Sequence, residues 1–224
     1  KYGYKTYIMH LSPSNISGNN TCPSSSLGCA SACLNTAGMG CYGTVQNARI
    51  GRTKFFFEDQ PNFMLRLEDE IKKGIASSKK ANLIPTFRLN GTSDIKWEKI
   101  KYGKDDKTIF EKFPNVQFYD YTKSFKRMCS FLGKPFIKGE AKFPSNYHLT
   151  FSRSENNDKK CEMVLLMGGN VAVVFRNQLP KTWKGFEVVN GDETDLRFLD
   201  KQGVVVGLIE KGLAKKDETG FVVE

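Results

Sequence analysis

The sequence predicts an α/β fold: a partial or small (β/α) barrel with mostly parallel strands and an N-terminal cysteine-rich metal-binding loop. Three observations carry this expectation. Val171-Ala172-Val173-Val174-Phe175 and Val204-Val205-Val206 are apolar without alternation, as strands buried on both faces are. Helical periodicity separates the early strands, which favours parallel pairing through crossover helices. Four cysteines, Cys22, Cys29, Cys33 and Cys41, follow the first strand within 20 residues.

The elements follow in chain order. Residues 7–11 form a first strand that Ser12-Pro13-Ser14 terminates. Across 62–74, Phe63, Leu67 and Ile71 recur every four residues, which predicts a helix capped by Asp59 or Asn62. Residues 85–90 and 116–121 are further strands. SFKRMCSFLG reads as a short helix with Cys129 as a buried small hydrophobe. Strands at 147–152, 171–175, 186–189 and 204–209 complete a set of seven. The last third is poorer in helices, and its two strands at 186–189 and 204–209 are expected to form an antiparallel extension around a turn at 200–203.

The 224 residues suit one domain, 1–224, with the cluster-binding segment at 19–43. No run of 18 apolar residues offers a membrane span, and residues 1–12 lack a signal-peptide core. Lys plus Arg number 34 against 24 Asp plus Glu, a formal charge of +10 and a pI near 9.3. The basic groups are spread along the chain, with Trp97, Tyr102, Tyr121 and Phe125 among them. Phosphate contacts with stacking platforms would use such a surface, so a nucleic acid or nucleotide is the expected partner.

The cysteine intervals are six, three and seven residues. A chain of this length needs no disulfide staples, so four clustered thiolates read as soft ligands. Structural zinc sites favour two tight knuckles, and only Cys29-x3-Cys33 resembles one. Long unequal spacings suit a [4Fe-4S] cubane, with zinc as the alternative cofactor. Such a cluster serves either catalysis or the anchoring of an irregular segment. Disulfides remain the third reading.

The strands run into polar groups at their carboxyl ends, where α/β folds bind ligands. Asn90, Ser93 and Asp94 follow one strand, Asp120 and Lys123 another, Arg153 and Glu155 a third, and Arg176 a fourth. Asp94, Asp120 and Glu155 are the candidate proton carriers, and Asn90, Ser93, Lys123, Arg153 and Arg176 the candidate substrate or anion ligands. Each has a plain structural alternative: Asp94 as a helix cap, Arg153 with Glu155 as an ion pair, Lys123 as a solvated charge. Asp192, Asp195 and Arg197 read as a charged turn. Two histidines, His10 and His148, argue against a histidine triad or a histidine-rich metal site.

The stretches HLSPSNISGNNTCPSSSLGCASACLNTAG, FRLNGTSDIKWE, VQFYDYTK, YHLTFSRSENN, NVAVVF and GDETDLRFLD together resemble a family of bacteriophage and mobile-element proteins over nearly the whole chain. The resemblance implies a protein at work in the cytoplasm of an infected bacterium, where thiols stay reduced. More distantly, the chain is similar to radical S-adenosylmethionine iron-sulfur barrel proteins, which place a cysteine loop after the first strand at the barrel mouth. That resemblance implies Cys29, Cys33 and Cys41 as cluster ligands. The second gap is seven residues where that family has two, and Cys22 as a fourth ligand would leave no open iron for S-adenosylmethionine. The combined expectation is an iron-sulfur enzyme acting on a nucleic acid or nucleotide. The alternatives are a non-enzymatic nucleic-acid-binding protein with a structural iron-sulfur or zinc site, and a protein that binds and modulates a host factor.

Overall fold

A computed structural model describes residues 2–136 and 142–224. The ten strands are β1 (Tyr4–Ile8), β2 (Ile84–Arg88), β3 (Lys101–Tyr102), β4 (Lys107–Thr108), β5 (Gln117–Thr122), β6 (Tyr147–Ser152), β7 (Val171–Phe175), β8 (Thr182–Trp183), β9 (Phe186–Asn190) and β10 (Val205–Ile209). The six α-helices are α1 (Leu27–Ser31), α2 (Gly43–Glu58), α3 (Gln60–Lys80), α4 (Ile109–Lys112), α5 (Phe125–Phe131) and α6 (Asp158–Leu166). No helix among the described residues is long and apolar enough to cross a membrane.

Eight strands make one mixed but mostly parallel sheet in the order β1-β2-β5-β6-β7-β10-β9-β8. Every pairing from β1 to β9 is parallel. Within this sheet only β8 against β9 is antiparallel, and β3 with β4 forms a separate antiparallel pair. The expected antiparallel pairing of 186–189 with 204–209 is therefore corrected: β9 joins β10 in parallel, and the antiparallel element is the short β8–β9 hairpin. A sequence of two apolar strands cannot distinguish these, because direction is set by which strand end the connecting chain reaches. The sheet ends at β1 and β8, and no pairing between them closes it among the described residues.

Alternation sorts the sheet into two faces. Phe87, Phe118 and Tyr147 face the helices, where Phe110 of α4 packs edge-on to Phe118 and stacks on Tyr147. Tyr119 points the other way, onto Phe198 in the 3-10 turn Arg197–Leu199, which also meets Tyr4. The supposed charged turn thus covers the second face of the sheet, with Arg197 fully buried.

Helix α3 extends well beyond the residues its periodicity marked. Asp59 accepts from the Asn62 N–H at its start, and Pro61 sits in its first turn. Helix α2 carried no readable pattern, since Val45, Ile50 and Phe55 to Phe57 fall around its whole circumference. Phe56 nonetheless packs against Phe63 of α3 and Trp97, making an aromatic corner.

Gly74 lets α3 lie against the sheet. A Cβ there would stand 2.9 Å from the Phe87 ring and 3.4 Å from Tyr7, and the Tyr7 hydroxyl donates to the Gly74 carbonyl. Gly74→Val is expected to lower stability by about 1–3 kcal/mol through overpacking. Urea unfolding measures it; an unchanged midpoint would show that α3 is free to move outward.

Candidate functional site

A cavity of about 590 Å³ lies at the carboxyl ends of the parallel strands. Cys22, Cys29 and Cys33 line one side of it. Asn90 to Asp94 follow β2 into it, Tyr121 to Lys123 close β5, and Ser152 ends β6. Asp192 to Asp195, Lys211 and Phe221 complete the lining.

The cysteine-bearing segment is fastened to this rim from several directions. The Thr21 hydroxyl donates to the Ser12 carbonyl at 2.7 Å, and the Thr92 hydroxyl to the Leu11 carbonyl. The Asp94 N–H donates to the Thr21 carbonyl at 2.8 Å. Glu155 clamps the start of α1, accepting from the Ser26 hydroxyl at 2.6 Å and the Gly28 N–H at 2.9 Å. Gly28 admits no side chain, because a Cβ would stand 2.8 Å from that of Phe221. Glu155 is therefore a positioning residue for the turn that carries Cys29.

The four cysteines expected to act together divide. Cys22, Cys29 and Cys33 are half-buried at the cavity, whereas Cys41 is exposed and lies outside it. Among the described residues no group of three His, Cys, Asp or Glu side chains stands in metal-holding geometry. This corrects the expectation of a preformed four-cysteine loop. Its physical basis is that the 3-10 turn Gly38–Cys41 belongs with α2 rather than with the rim: Gln46 of α2 donates to the carbonyls of Asn35 and Gly40. All six cysteines are free thiols. Burial raises the Cys22 thiol and pushes that of Cys33 up to about 11. Neither is an activated nucleophile at neutral pH.

Of the other sequence candidates, Asn90, Ser93, Asp94 and Lys123 line the cavity, and Asp120, Arg153, Glu155 and Arg176 do not. Asn90 organises its own turn, its Oδ1 accepting from Ser93, the Ile95 N–H and the Trp97 indole. Asp94 caps no helix of its own. It accepts from Thr122, from the Lys123 N–H and from Arg127. Arg153 donates to the carbonyls of Gly220 and Phe221 and pairs with Asp158. Arg176 donates to the carbonyls of Lys215 and Asp217 and to Glu224. Both arginines thus hold the C-terminal segment that walls the cavity, where Val223 bridges to Phe175.

Lys123 is different. Its ammonium donates to Ser152 at 2.6 Å and sits 5.3 Å from the Phe221 ring centre, with no carboxylate partner among the described residues. Arg88 was not anticipated, and Tyr121 only as one of four aromatics among the basic groups. The Arg88 guanidinium lies 4.6 Å from the Tyr121 ring centre and donates to Asp195, which also accepts from Tyr119. Strand alternation from the helix-facing Phe87 would have aimed Arg88 at this face.

Behind the rim, a buried polar chain runs along the helix face. Arg127 pairs with Glu98 and Asp94 at 2.8 Å each and donates to the Tyr147 hydroxyl. Tyr147 donates in turn to Asp120 at 2.8 Å. Asp120 also accepts from the Asn90 N–H at 2.8 Å and the Leu89 N–H at 3.3 Å. Burial opposes the charge of Arg127, but Tyr147, Glu98 and Asp94 outweigh it and raise its pKa. Burial pushes the Asp120 carboxyl up to about 7, against the pull of Arg88, the Asn90 N–H, Tyr147 and Arg127.

Two predictions follow from this chain. Arg127→Met removes the shared cation from two nearly buried carboxylates and is expected to cost about 3–5 kcal/mol in urea unfolding. A loss below about 1 kcal/mol would mean that Asp94 and Glu98 find water. Asp120 binds its proton more tightly folded than unfolded, so its contribution is complete below about pH 4 and is lost as pH rises through 7. His10 and His148, lowered by burial to about 4, act with the opposite sign, their contribution appearing as pH rises toward 6.5. The comparison is therefore between variant and parent: from pH 4.5 to 7.5, Asp120→Asn should gain about 2–4 kcal/mol relative to the parent. Parallel stability curves would contradict it.

No curated protein and no solved structure matches the chain. The family described as Gene product 88 matches residues 2–224, and the chain belongs to that family.

Proposed function

We propose that this protein is an iron-sulfur enzyme that holds its cluster through Cys22, Cys29 and Cys33 and acts on a nucleotide or nucleic acid at the cavity. The observation that carries this reading is the convergence of three thiols on the carboxyl ends of parallel strands. The run β1-β2-β5-β6-β7-β10, parallel and in chain order, supports the partial-barrel interpretation. The donor type suits a cluster, since three soft thiols line the cavity and Cys41 lies outside it. Ligation would require the segment to draw the thiols together and release their protons. When bound, such a cluster supplies one-electron chemistry and, with three protein thiolates, an iron open to a small ligand such as S-adenosylmethionine.

The chain's own residues divide the remaining work. Lys123, the cavity cation without a carboxylate partner, binds the phosphate of the substrate. Asn90 and Ser93 shape the turn beside it, and Tyr121 with Arg88 forms a flat platform for a base. Asp94, engaged by Thr122, the Lys123 N–H and Arg127, joins Asp120, Glu155, Arg153 and Arg176 in positioning the walls. A bacterial cytoplasm would keep the thiols reduced and the ligand set intact.

The test is anaerobic purification with iron, sulfide and zinc quantitation. The expected yield is about four iron and four sulfide per chain. Cys22→Ala, Cys29→Ala and Cys33→Ala should each abolish the cluster spectrum, and Cys41→Ala should retain it. One zinc with no iron would replace the enzyme reading with a structural site. Equal loss in Cys41→Ala would restore the four-cysteine set. A spectral change on adding S-adenosylmethionine would support an open iron.

A further inference from the structure

Strand β1 is an edge of the sheet, paired only with β2. The Gly3 carbonyl accepts from the Ile84 N–H, the Met9 N–H donates to the Arg88 carbonyl, and the Met9 carbonyl accepts from Gly91. Odd-numbered residues therefore aim their backbone groups at β2. By the two-residue period, the N–H and C=O groups of Thr6 and Ile8 aim out of the sheet. An edge with free groups is a template for another strand.

That edge borders a second groove, of about 1370 Å³, bounded by α2 and α3. Phe55, Phe63 and Leu67 contribute its apolar floor, and Arg49, Arg52 and Arg66 its charge. Arg49 donates to Asn35 and Arg52 to the His10 carbonyl. None of the three pairs with a carboxylate among the described residues. Glu70 also lines the groove but is engaged by Lys73. Arg52 feels Arg49 and Arg66 as like charges.

We propose that this groove captures an extended acidic peptide segment of another protein, which adds to β1 as a further strand. The three features need one occupant. Backbone groups satisfy Thr6 and Ile8, apolar side chains fill the floor, and Asp or Glu side chains neutralise the arginines. A nucleic acid would meet the charge but leave the strand edge and the apolar floor unmatched. A second copy of the chain, itself at +10, would add positive charge to positive charge. The inference does not depend on the cluster.

The test is fluorescence anisotropy with the full chain and a labelled decapeptide of alternating Val and Glu. Binding should weaken with salt and be at least about tenfold weaker for a Val and Lys counterpart. The double variant Arg52→Glu, Arg66→Glu should lose at least about tenfold. Ile8→Pro removes an outward N–H that β2 does not use, so the sheet keeps its pairing while the peptide loses a partner. A peptide N-methylated at alternate residues tests the same contact without touching the protein, and should also bind about tenfold more weakly. Absence of binding, indifference to both backbone changes, or tighter binding of a fifteen-nucleotide oligo-dT that the double variant abolishes would each overturn the proposal.

Discussion

The buried guanidinium of Arg127 is the interaction on which the rim depends. It lies where three things must meet: the end of β5, the turn after β2, and the helix face of β6. Its two carboxylates come from that turn, Asp94 and Glu98, and its hydroxyl partner from β6, Tyr147. An isolated charge so deeply placed would be unsustainable, so all partners must arrive in fixed positions. Asp94 then accepts from the Lys123 N–H and donates its own N–H to Thr21. One buried cation thereby fixes the last residue of a strand, the following turn and the entry to the cysteine segment.

A second constraint works from the C-terminal segment. Arg153 and Arg176 spend their donors on backbone carbonyls of the C-terminal segment, and that segment presses on Gly28 through Phe221. Glu155 holds the same turn from below. The cysteine segment has little regular structure of its own, with α1 only five residues long. It is shaped by contacts with residues more than a hundred positions away. Such a segment can carry ligands on an irregular path while its two ends stay fixed.

Much of the architecture was legible in the sequence. Six of the seven expected strands lie close to their expected bounds, and the first, expected at 7–11, is Tyr4–Ile8 and shares only Tyr7 and Ile8 with that range. The helix from Phe63 through Ile71 was visible in its period. Helix α2 was not, since its apolar residues serve a floor on one side and an aromatic corner on the other. The site was legible by position and illegible by role. Asn90, Ser93, Asp94 and Lys123, all expected at strand ends, line one cavity. It could not show that Asp120 points to the helix side, a matter of one residue's parity after Phe118. Nor could spacing reveal that Cys41 is claimed by α2 through Gln46, a contact between local segments with no signature in cysteine intervals.

What separates wall from working surface at this cavity is hydrogen-bonding capacity. Asn90 uses its oxygen three times over, Asp94 meets a hydroxyl, an amide and a guanidinium, and Glu155 meets a hydroxyl and an amide. Groups so occupied would have to surrender good partners before touching a ligand, at a cost no single new bond recovers. Lys123 is engaged by one hydroxyl and keeps two donors and its charge. Glu193 lines the cavity with only a long contact to Asn190. The Cys22 and Cys33 thiols have weak partners that a soft metal would outbid. The cavity thus presents a cation, an anion and three sulfurs against a saturated frame. That combination is suited to hold a zwitterionic or phosphorylated small molecule beside a sulfur-ligated centre rather than to bury an apolar one.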